Sequence, residues 1–207
     1  EKGVCRVMSS AKITFADPSL LPAAEYLASY VLLEYNAGDN GVISLAYDVT
    51  LQDEEYRLMV GDCGISIMGG GYGGVVNGIT TLMQLMPTDV YNRMLSYPID
   101  IPLCEVKDAP RYAYRGFMLD VCRTWIPKEA IMDYIDLLVH HKINTLRLHL
   151  TDDEAWRIEI KSHPELAEVG GFRGGYSPIW PRYGKWNERW GGYYTQEDMR
   201  EIIAYAA

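Results

Sequence analysis

The chain has 207 residues, of which 48% are apolar and 23% charged, a balance that is ordinary for a globular protein. Acidic side chains number 28 and basic ones 19, so the formal charge is −9. This charge argues against nucleic acids and anionic membrane surfaces as partners. No apolar run reaches the roughly 20 residues that a membrane-spanning helix needs, so membrane insertion is not expected.

The first part of the chain, residues 1–108, predicts a small α+β domain. Residues 4–15 are expected to form one strand, and Asp17-Pro18-Ser19 then opens a segment with helical periodicity. The elements expected after it are strands at 42–47, 56–60 and 64–68 and a helix at 74–86. This order of elements favours helices packed on one face of a sheet.

The sequence indicates no cofactor and no metal site. The glycines of segment 69–74 suggest a phosphate loop, but the lysine that such a loop needs is missing. A turn that leads into a helix is the favoured interpretation. The four cysteines lack the paired spacing of a zinc site, and we expect mostly free, buried thiols at Cys5, Cys63, Cys104 and Cys122.

The second part, residues 109–207, has a different rhythm. It predicts a strand at 115–121, a helix that starts at Pro127, and a strand at 144–150 with alternating apolar side chains. After a long loop, Thr195 and Asp198 have the spacing of a helix-capping box. Strand, helix, strand, helix is the pattern of a parallel α/β domain.

Several linked segments resemble the β-N-acetylhexosaminidases of glycoside hydrolase family 20. In the second part these are YRGFMLDVCR at 114–123, HLTDD at 149–153, WRIEI at 156–160 and GYYTQED at 192–198. In the first part they are DEEYRL at 53–58 and GITTLMQL at 78–85. The resemblance implies an α+β accessory domain followed by the start of a (β/α)8 TIM barrel, of which about two βα units are present.

The resemblance also implies a reaction. Family members release terminal β-linked N-acetylglucosamine or N-acetylgalactosamine from glycans with retention, without a cofactor. The substrate's own acetamido oxygen attacks the anomeric carbon, an exception to the usual two-carboxylate scheme. A glutamate protonates the leaving oxygen and the neighbouring aspartate orients the acetamide. Such enzymes usually work outside the cytoplasm, so a periplasmic, secreted or surface-attached location is expected.

The family's acid–base signature, His-x-Gly-Gly-Asp-Glu, does not occur in these 207 residues. We therefore expect the chain to be a truncated fragment that is inactive alone. The family's relay histidine would lie beyond Ala207. An incomplete barrel also presents an unpaired strand edge, which invites self-association.

Two residues match functional positions of the family. Arg123 matches the arginine that grips hydroxyls of the terminal sugar, a task that suits a planar fork of donors. Asp152 matches an aspartate that supports the acid glutamate through a histidine relay, with Asp153 as a structural neighbour. The alternatives are an arginine paired with an acid at the barrel rim and an aspartate that caps loop amides. A metal site at His149, Asp152 and Asp153 is disfavoured because His149 and Asp152 have opposite parity along an extended chain.

The loop at 170–192 is rich in glycine and aromatic residues, among them Trp180, Trp186 and Trp190. Tryptophan faces suit sugar stacking, but aromatics also pack long loops, and both interpretations stay open. Elsewhere, we expect Arg115 to anchor a strand end, Asp120 to be buried and hydrogen-bonded, and Arg157 to anchor the loop.

Two other functions remain in competition. The chain could be a non-catalytic module that binds glycans or partners through the aromatic loop. It could also belong to a related barrel enzyme that acts on other sugars, although the segments around Arg123 and Asp152 weigh against this.

Overall fold

The computed structural model describes residues 3–38, 40–175 and 187–206. The chain divides into two compact units, Glu1–Ala113 and Tyr114–Ala207. Each unit has its own cluster of buried apolar side chains.

The first unit is an α+β unit built on one mixed sheet. Its strands are β1 (Val4–Val7), β2 (Lys12–Phe15), β3 (Glu34–Ala37), β4 (Ile43–Tyr47), β5 (Tyr56–Gly61), β6 (Gly64–Gly69), β7 (Ile99–Pro102) and β8 (Cys104–Asp108). Its helices are α1 (Leu21–Val31) and α2 (Tyr72–Leu85). The main sheet has the order β3-β2-β4-β6-β5-β8. Its first four strands are parallel, and β5 is antiparallel to both β6 and β8.

The expectation of one strand over residues 4–15 is wrong. The chain turns between the two strands, where the Ala11 amide donates to the Met8 carbonyl at 2.9 Å. As a result β2 joins the main sheet, whereas β1 pairs antiparallel with β7. Helix α1 packs on β2 and β3, α2 packs on β5 and β6, and the two helices contact each other.

The glycine segment before α2 is a turn, as predicted. The Gly70 amide donates to the Glu55 carbonyl at 3.0 Å and the Gly74 amide to the Asp53 carbonyl at 3.2 Å. A side chain at Gly70 would place its Cβ 1.9 Å from the Gln52 carbonyl oxygen. Glycine is therefore needed for close packing, and these two amides already bind protein carbonyls.

The second unit begins with a βαβ arrangement. Its strands are β9 (Gly116–Asp120), β10 (Thr145–His149), β11 (Thr151–Asp152), β12 (Ala155–Trp156), β13 (Phe172–Arg173) and β14 (Trp190–Gly191). Its helices are α3 (Lys128–His140), α4 (Glu165–Glu168) and α5 (Gln196–Ala206). Strands β9 and β10 are parallel, and β11–β12 and β13–β14 are short antiparallel pairs. Helix α5 packs on α3.

Helix α5 starts with the predicted capping box. The Asp198 amide donates to Thr195 Oγ1 at 3.0 Å, and the Thr195 amide donates to Asp198 Oδ2 at 2.9 Å. Lys128 at the start of α3 reaches across, with Nζ 2.8 Å from Asp198 Oδ1 and 2.6 Å from Glu201 Oε2. Hydrogen bonds from Lys128 and then Thr195 lower the pKa of Asp198 to about 2.

All four cysteines are free thiols, as expected, but only half of them are buried. Cys5 and Cys122 are buried, Cys104 is partly exposed and Cys63 is exposed. Cys63 lies between β5 and β6 in a two-residue turn, which has no core side to face. In the described ranges no helix is long and apolar enough to cross a membrane.

Candidate active site

The candidate site lies where two parallel strands end. In the register of β9 and β10, His149 pairs with Asp120, so the last residues of both strands stand side by side. Arg123 and Asp152 each follow three residues later. Because parallel strands end at the same edge of a sheet, these side chains meet there.

Arg123 is held by two carboxylates from two different strand ends. Its Nη1 donates to Asp120 Oδ2 at 2.6 Å and its Nη2 donates to Asp152 Oδ2 at 2.6 Å. A third carboxylate oxygen, Glu154 Oε2, lies 3.7 Å from Nε. The hydrogen bond to Asp120 is the main cause of a raised pKa for Arg123. The guanidinium therefore stays charged and fixed in one orientation.

Asp120 orders the turn that carries Arg123. Its Oδ1 accepts the amides of Cys122 and Arg123, each at 3.0 Å, while Oδ2 binds the Arg123 side chain. Partial burial opposes its ionisation, but these hydrogen bonds hold the pKa of Asp120 below its ordinary value. The predicted hydrogen bonding is confirmed, although the side chain is 25% exposed and not fully buried.

Asp152 occupies the first strand of a tight hairpin, β11–β12. Its Oδ1 accepts the Asp153 amide at 2.7 Å, and Oδ2 lies 2.8 Å from His149 Nε2. The amide of Asp153, and next the contact with His149, lower the pKa of Asp152. The argument that parity separates His149 from Asp152 is wrong, because β10 ends at His149 and Asp152 belongs to a separate strand pair, β11–β12, so the alternation of one strand does not connect the two residues. Within the described residues no group of three or more metal-binding side chains is suited to an ion.

The cluster of Arg123, Asp120 and Asp152 can bind but cannot act as an acid. A guanidinium has five N–H donors. One donor on each Nη makes a short hydrogen bond and Nε lies next to Glu154, which leaves two donors for a ligand. The Arg123 side chain is 42% exposed, so those donors are accessible from solvent. The lowered pKa values keep Asp120 and Asp152 ionised near neutral pH, so both accept and neither donates a proton.

Two further arginines are buried behind this cluster. Arg157 is fully buried and donates to main-chain carbonyls of Val121, Cys122, Gly171 and Gly192. Arg173 is also buried and donates to the carbonyls of Gly170 and Phe172. The prediction that Arg157 anchors the loop is confirmed. The role of Arg173 was missed, because an arginine in a polar loop gives no sign of burial.

The aromatic loop is described only in part. Trp180 and Trp186 lie outside the described residues. Trp190 lies in β14, partly buried, and no hydrogen bond, ion pair or ring contact among the described residues joins it to Arg123 or Asp152. Its stacking role stays a prediction.

Trp125 is a packing residue that sequence reasoning missed, with its ring 4.7 Å from that of Tyr194 and 5.7 Å from the Arg157 guanidinium carbon.

Arg115 anchors the other end of the strand pair, as predicted. Its Nε donates to the Lys142 carbonyl at 2.6 Å. Its amide donates to Asn144 Oδ1 at 3.1 Å, and its carbonyl accepts the Asn144 amide at 3.0 Å. These three bonds join the start of β9 to the segment that enters β10.

Comparison with known families matches both parts of the chain. Residues 2–109 match domain 2 of glycosyl hydrolase family 20, and residues 112–207 match the catalytic domain of the same family. The chain therefore belongs to glycosyl hydrolase family 20. It combines the family's α+β domain with the first part of its TIM barrel, which confirms the predicted fold.

Relatives and solved structures agree with this assignment. The chain is 43% identical over 165 residues to a β-hexosaminidase of Vibrio furnissii, which covers 80% of this chain and 26% of that protein. It is 40% identical over 176 residues to a β-hexosaminidase of Porphyromonas gingivalis, covering 84% of this chain and 21% of that one. It thus spans about a quarter of the length of these relatives.

Similar structures cover the whole of this chain. An exo β-N-acetylglucosaminidase from Vibrio harveyi in complex with N-acetylglucosamine matches with a TM-score of 0.90 at 33% identity, over 32% of that protein. A β-hexosaminidase from Streptomyces plicatus matches with a TM-score of 0.86 at 32% identity, over 41% of that protein.

Proposed function

We propose that the protein containing this chain is a β-N-acetylhexosaminidase that releases terminal β-linked N-acetylhexosamine from glycans. The observation that carries the proposal is the pairing of Arg123 with Asp152 at the ends of two parallel strands, at 2.6 Å. Active sites of barrel enzymes lie at this edge of the sheet. Relatives named as β-hexosaminidases support the same reaction.

Within this reaction the chain supplies binding and support rather than proton transfer. The donors left on Arg123 hold neighbouring hydroxyls of the terminal sugar. Asp152 orients the histidine that contacts the acid glutamate, so it acts through hydrogen bonds to other side chains. The Asp-Glu pair that orients the acetamide and protonates the leaving oxygen belongs to later strands of the barrel.

The test is turnover by the full-length protein. We expect it to hydrolyse 4-nitrophenyl N-acetyl-β-glucosaminide and to leave 4-nitrophenyl β-glucoside uncut, because only the first substrate carries the acetamido nucleophile. The 207-residue chain alone is expected to release no nitrophenol. Equal turnover of both substrates would favour a barrel enzyme for other sugars. Glycan binding without turnover would favour a non-catalytic module.

The chain alone self-associates through its incomplete sheet. In the described part of the second unit, β9 and β10 pair only with each other, which leaves open strand edges. Phe117 and Met118 on β9 are large and exposed. Open edges with apolar side chains favour pairing between chains.

A location outside the cytoplasm also belongs to the proposal, since terminal hexosamines occur mainly on extracellular glycans.

A further inference from the structure

We infer that Arg157 is a positioning residue for Arg123, because it fixes the backbone from which Arg123 projects. The hydrogen bonds of Arg157 go to main-chain carbonyls and not to the carboxylates of Asp120 or Asp152, so its direct contact with the site is through the main chain. The inference rests on the proposed function, in which Arg123 binds the terminal sugar.

Arg157 binds the backbone of the turn that carries Arg123. Its Nε lies 3.1 Å from the Val121 carbonyl oxygen, and its Nη2 lies 2.9 Å from that of Cys122. These are the two residues between the end of β9 and Arg123. Its Nη1 donates to the carbonyls of Gly171 and Gly192, at the two ends of the long loop. One side chain therefore ties the Arg123 turn to both ends of that loop.

Loss of these contacts would cost free energy, because no other group replaces them. Arg157 has no exposed surface, and the residues whose carbonyls it binds are buried as well. A buried carbonyl that loses its donor keeps the cost of its desolvation. The turn can lower this cost only by moving its carbonyls towards water. Such a movement changes where the Arg123 side chain starts.

The contacts on the opposite side of the turn depend on the same orientation of its peptide groups. The Cys122 amide donates to the His149 carbonyl at 3.0 Å, and the Arg123 amide donates to Asp120 Oδ1 at 3.0 Å. The amides of the turn thus face β10 and Asp120, while its carbonyls face Arg157. A rotation of either peptide breaks contacts on both sides at once.

Arg173 offers a matched control. It is a buried arginine in the same unit and also donates to main-chain carbonyls. Its acceptors, Gly170 and Phe172, belong to its own segment of the loop. Loss of Arg173 therefore weakens packing of the loop but leaves the carbonyls of the Arg123 turn with their donor.

The first experiment is hydrogen exchange on the full-length protein, in the wild type and in Arg157→Gln and Arg173→Gln. We expect exchange at the amides of Cys122 and Arg123 to rise at least tenfold in Arg157→Gln and to change less than twofold in Arg173→Gln. Equal effects of both variants, or no effect of Arg157→Gln, would overturn the inference. If Arg157→Gln does not fold, Arg157→Lys takes its place, because lysine keeps the charge but reaches fewer carbonyls.

The second experiment is a double-mutant cycle with 4-nitrophenyl N-acetyl-β-glucosaminide. We expect Arg157→Gln to raise KM at least tenfold with a smaller change in kcat, and to change KM less than twofold in the Arg123→Lys background. Independent, multiplying effects would show a purely structural role and refute the inference. A wild type without turnover would refute the proposed function instead, and the exchange result would still decide what Arg157 holds.

Discussion

Arg123 contacts two carboxylates at once because a guanidinium is a planar fork. In the full-length protein, we expect Arg123→Lys to raise KM for 4-nitrophenyl N-acetyl-β-glucosaminide by about ten- to a hundredfold, since a charged hydrogen bond is worth about 1.5–3 kcal/mol. Steady-state kinetics measure this. Arg6→Lys is the control, because Arg6 makes a similar double contact with Asp100 on the surface of the other unit. An unchanged KM in Arg123→Lys would remove Arg123 from the binding site.

The sequence singled out Arg123 and Asp152, whose side chains do meet, but it did not predict most of the contacts that hold them. The Asp120–Arg123 pair has a spacing of three residues at a strand end, which a turn brings together, and this signal was available. The contact of His149 with Asp152 was not predictable from parity. It depends on where β10 ends and the β11 hairpin begins, and short polar segments do not mark such boundaries.

Helix α2 contains two glycines that should respond to substitution in opposite ways. A Cβ on Gly78 would lie 2.5 Å from Ile67 Cγ2, whereas one on Gly73 would lie 3.4 Å from the flexible Glu54 side chain. We expect Gly78→Ala to destabilise the protein by about 1–3 kcal/mol through overpacking. Gly73→Ala should stabilise it by about 0.5–1 kcal/mol through backbone entropy.

Thermal unfolding of both variants measures this contrast, and the two melting temperatures should move in opposite directions. A rise in both would mean that α2 does not pack closely on the sheet at Gly78.

The contact between α3 and α5 predicts a dependence of stability on pH. The folded-state pKa of Asp198 is about 2, below its ordinary value of 3.8. Its contribution is therefore present above about pH 4 and is lost as the pH falls towards 2. We expect Asp198→Asn to lower the free energy of unfolding by about 1–2 kcal/mol at pH 7, and this difference from wild type to shrink at pH 2.5.

Urea unfolding at the two pH values tests this expectation. Glu197→Gln is the control on the same helix, because the Glu197 side chain is exposed and pairs with the exposed Arg200. We expect it to change stability by less than about 0.5 kcal/mol. A difference for Asp198→Asn that is the same at both pH values would contradict the assignment.

Elements with strong patterns were predicted, and elements that depend on distant partners were not. Helices α1, α2, α3 and α5 and the strands β4, β5, β6, β9 and β10 lie within a few residues of their expected positions. Helix α4 and strands β3, β7, β8 and β11 to β14 were missed. All four residues of β3 are exposed, so it has no apolar alternation. Strand β7 is defined by its pairing with β1, nearly a hundred residues away, and β8 by its pairing with β5.

We expect the open sheet of the second unit to govern the association of the isolated chain. Sedimentation velocity of the 207-residue chain should show species larger than a monomer, in proportions that rise with concentration. Met118→Glu should reduce this association, because a charge on β9 opposes edge pairing. Met94→Glu is the control, since Met94 is also an exposed methionine but lies in the first unit. A monomer at all concentrations would exclude association.

The fold of each unit was easier to predict from the sequence than the candidate site. The order of helices and strands along each half defines its fold class, and that order is written in local periodicity. The site instead depends on loops after strands, where residues meet through turns of a few residues. Arg157 illustrates this, because its carbonyl partners come from three separate segments.

The three hydrogen bonds between Arg115 and the segment Lys142–Asn144 fix the register of β10 against β9. In a strand, a shift of one residue turns every side chain to the opposite face. Deleting a single residue from this connection would therefore move Asp152 away from Arg123, with which it now pairs, even with every side chain of the cluster unaltered. Homologous chains are accordingly expected to exchange amino acids in this connection freely while conserving its length.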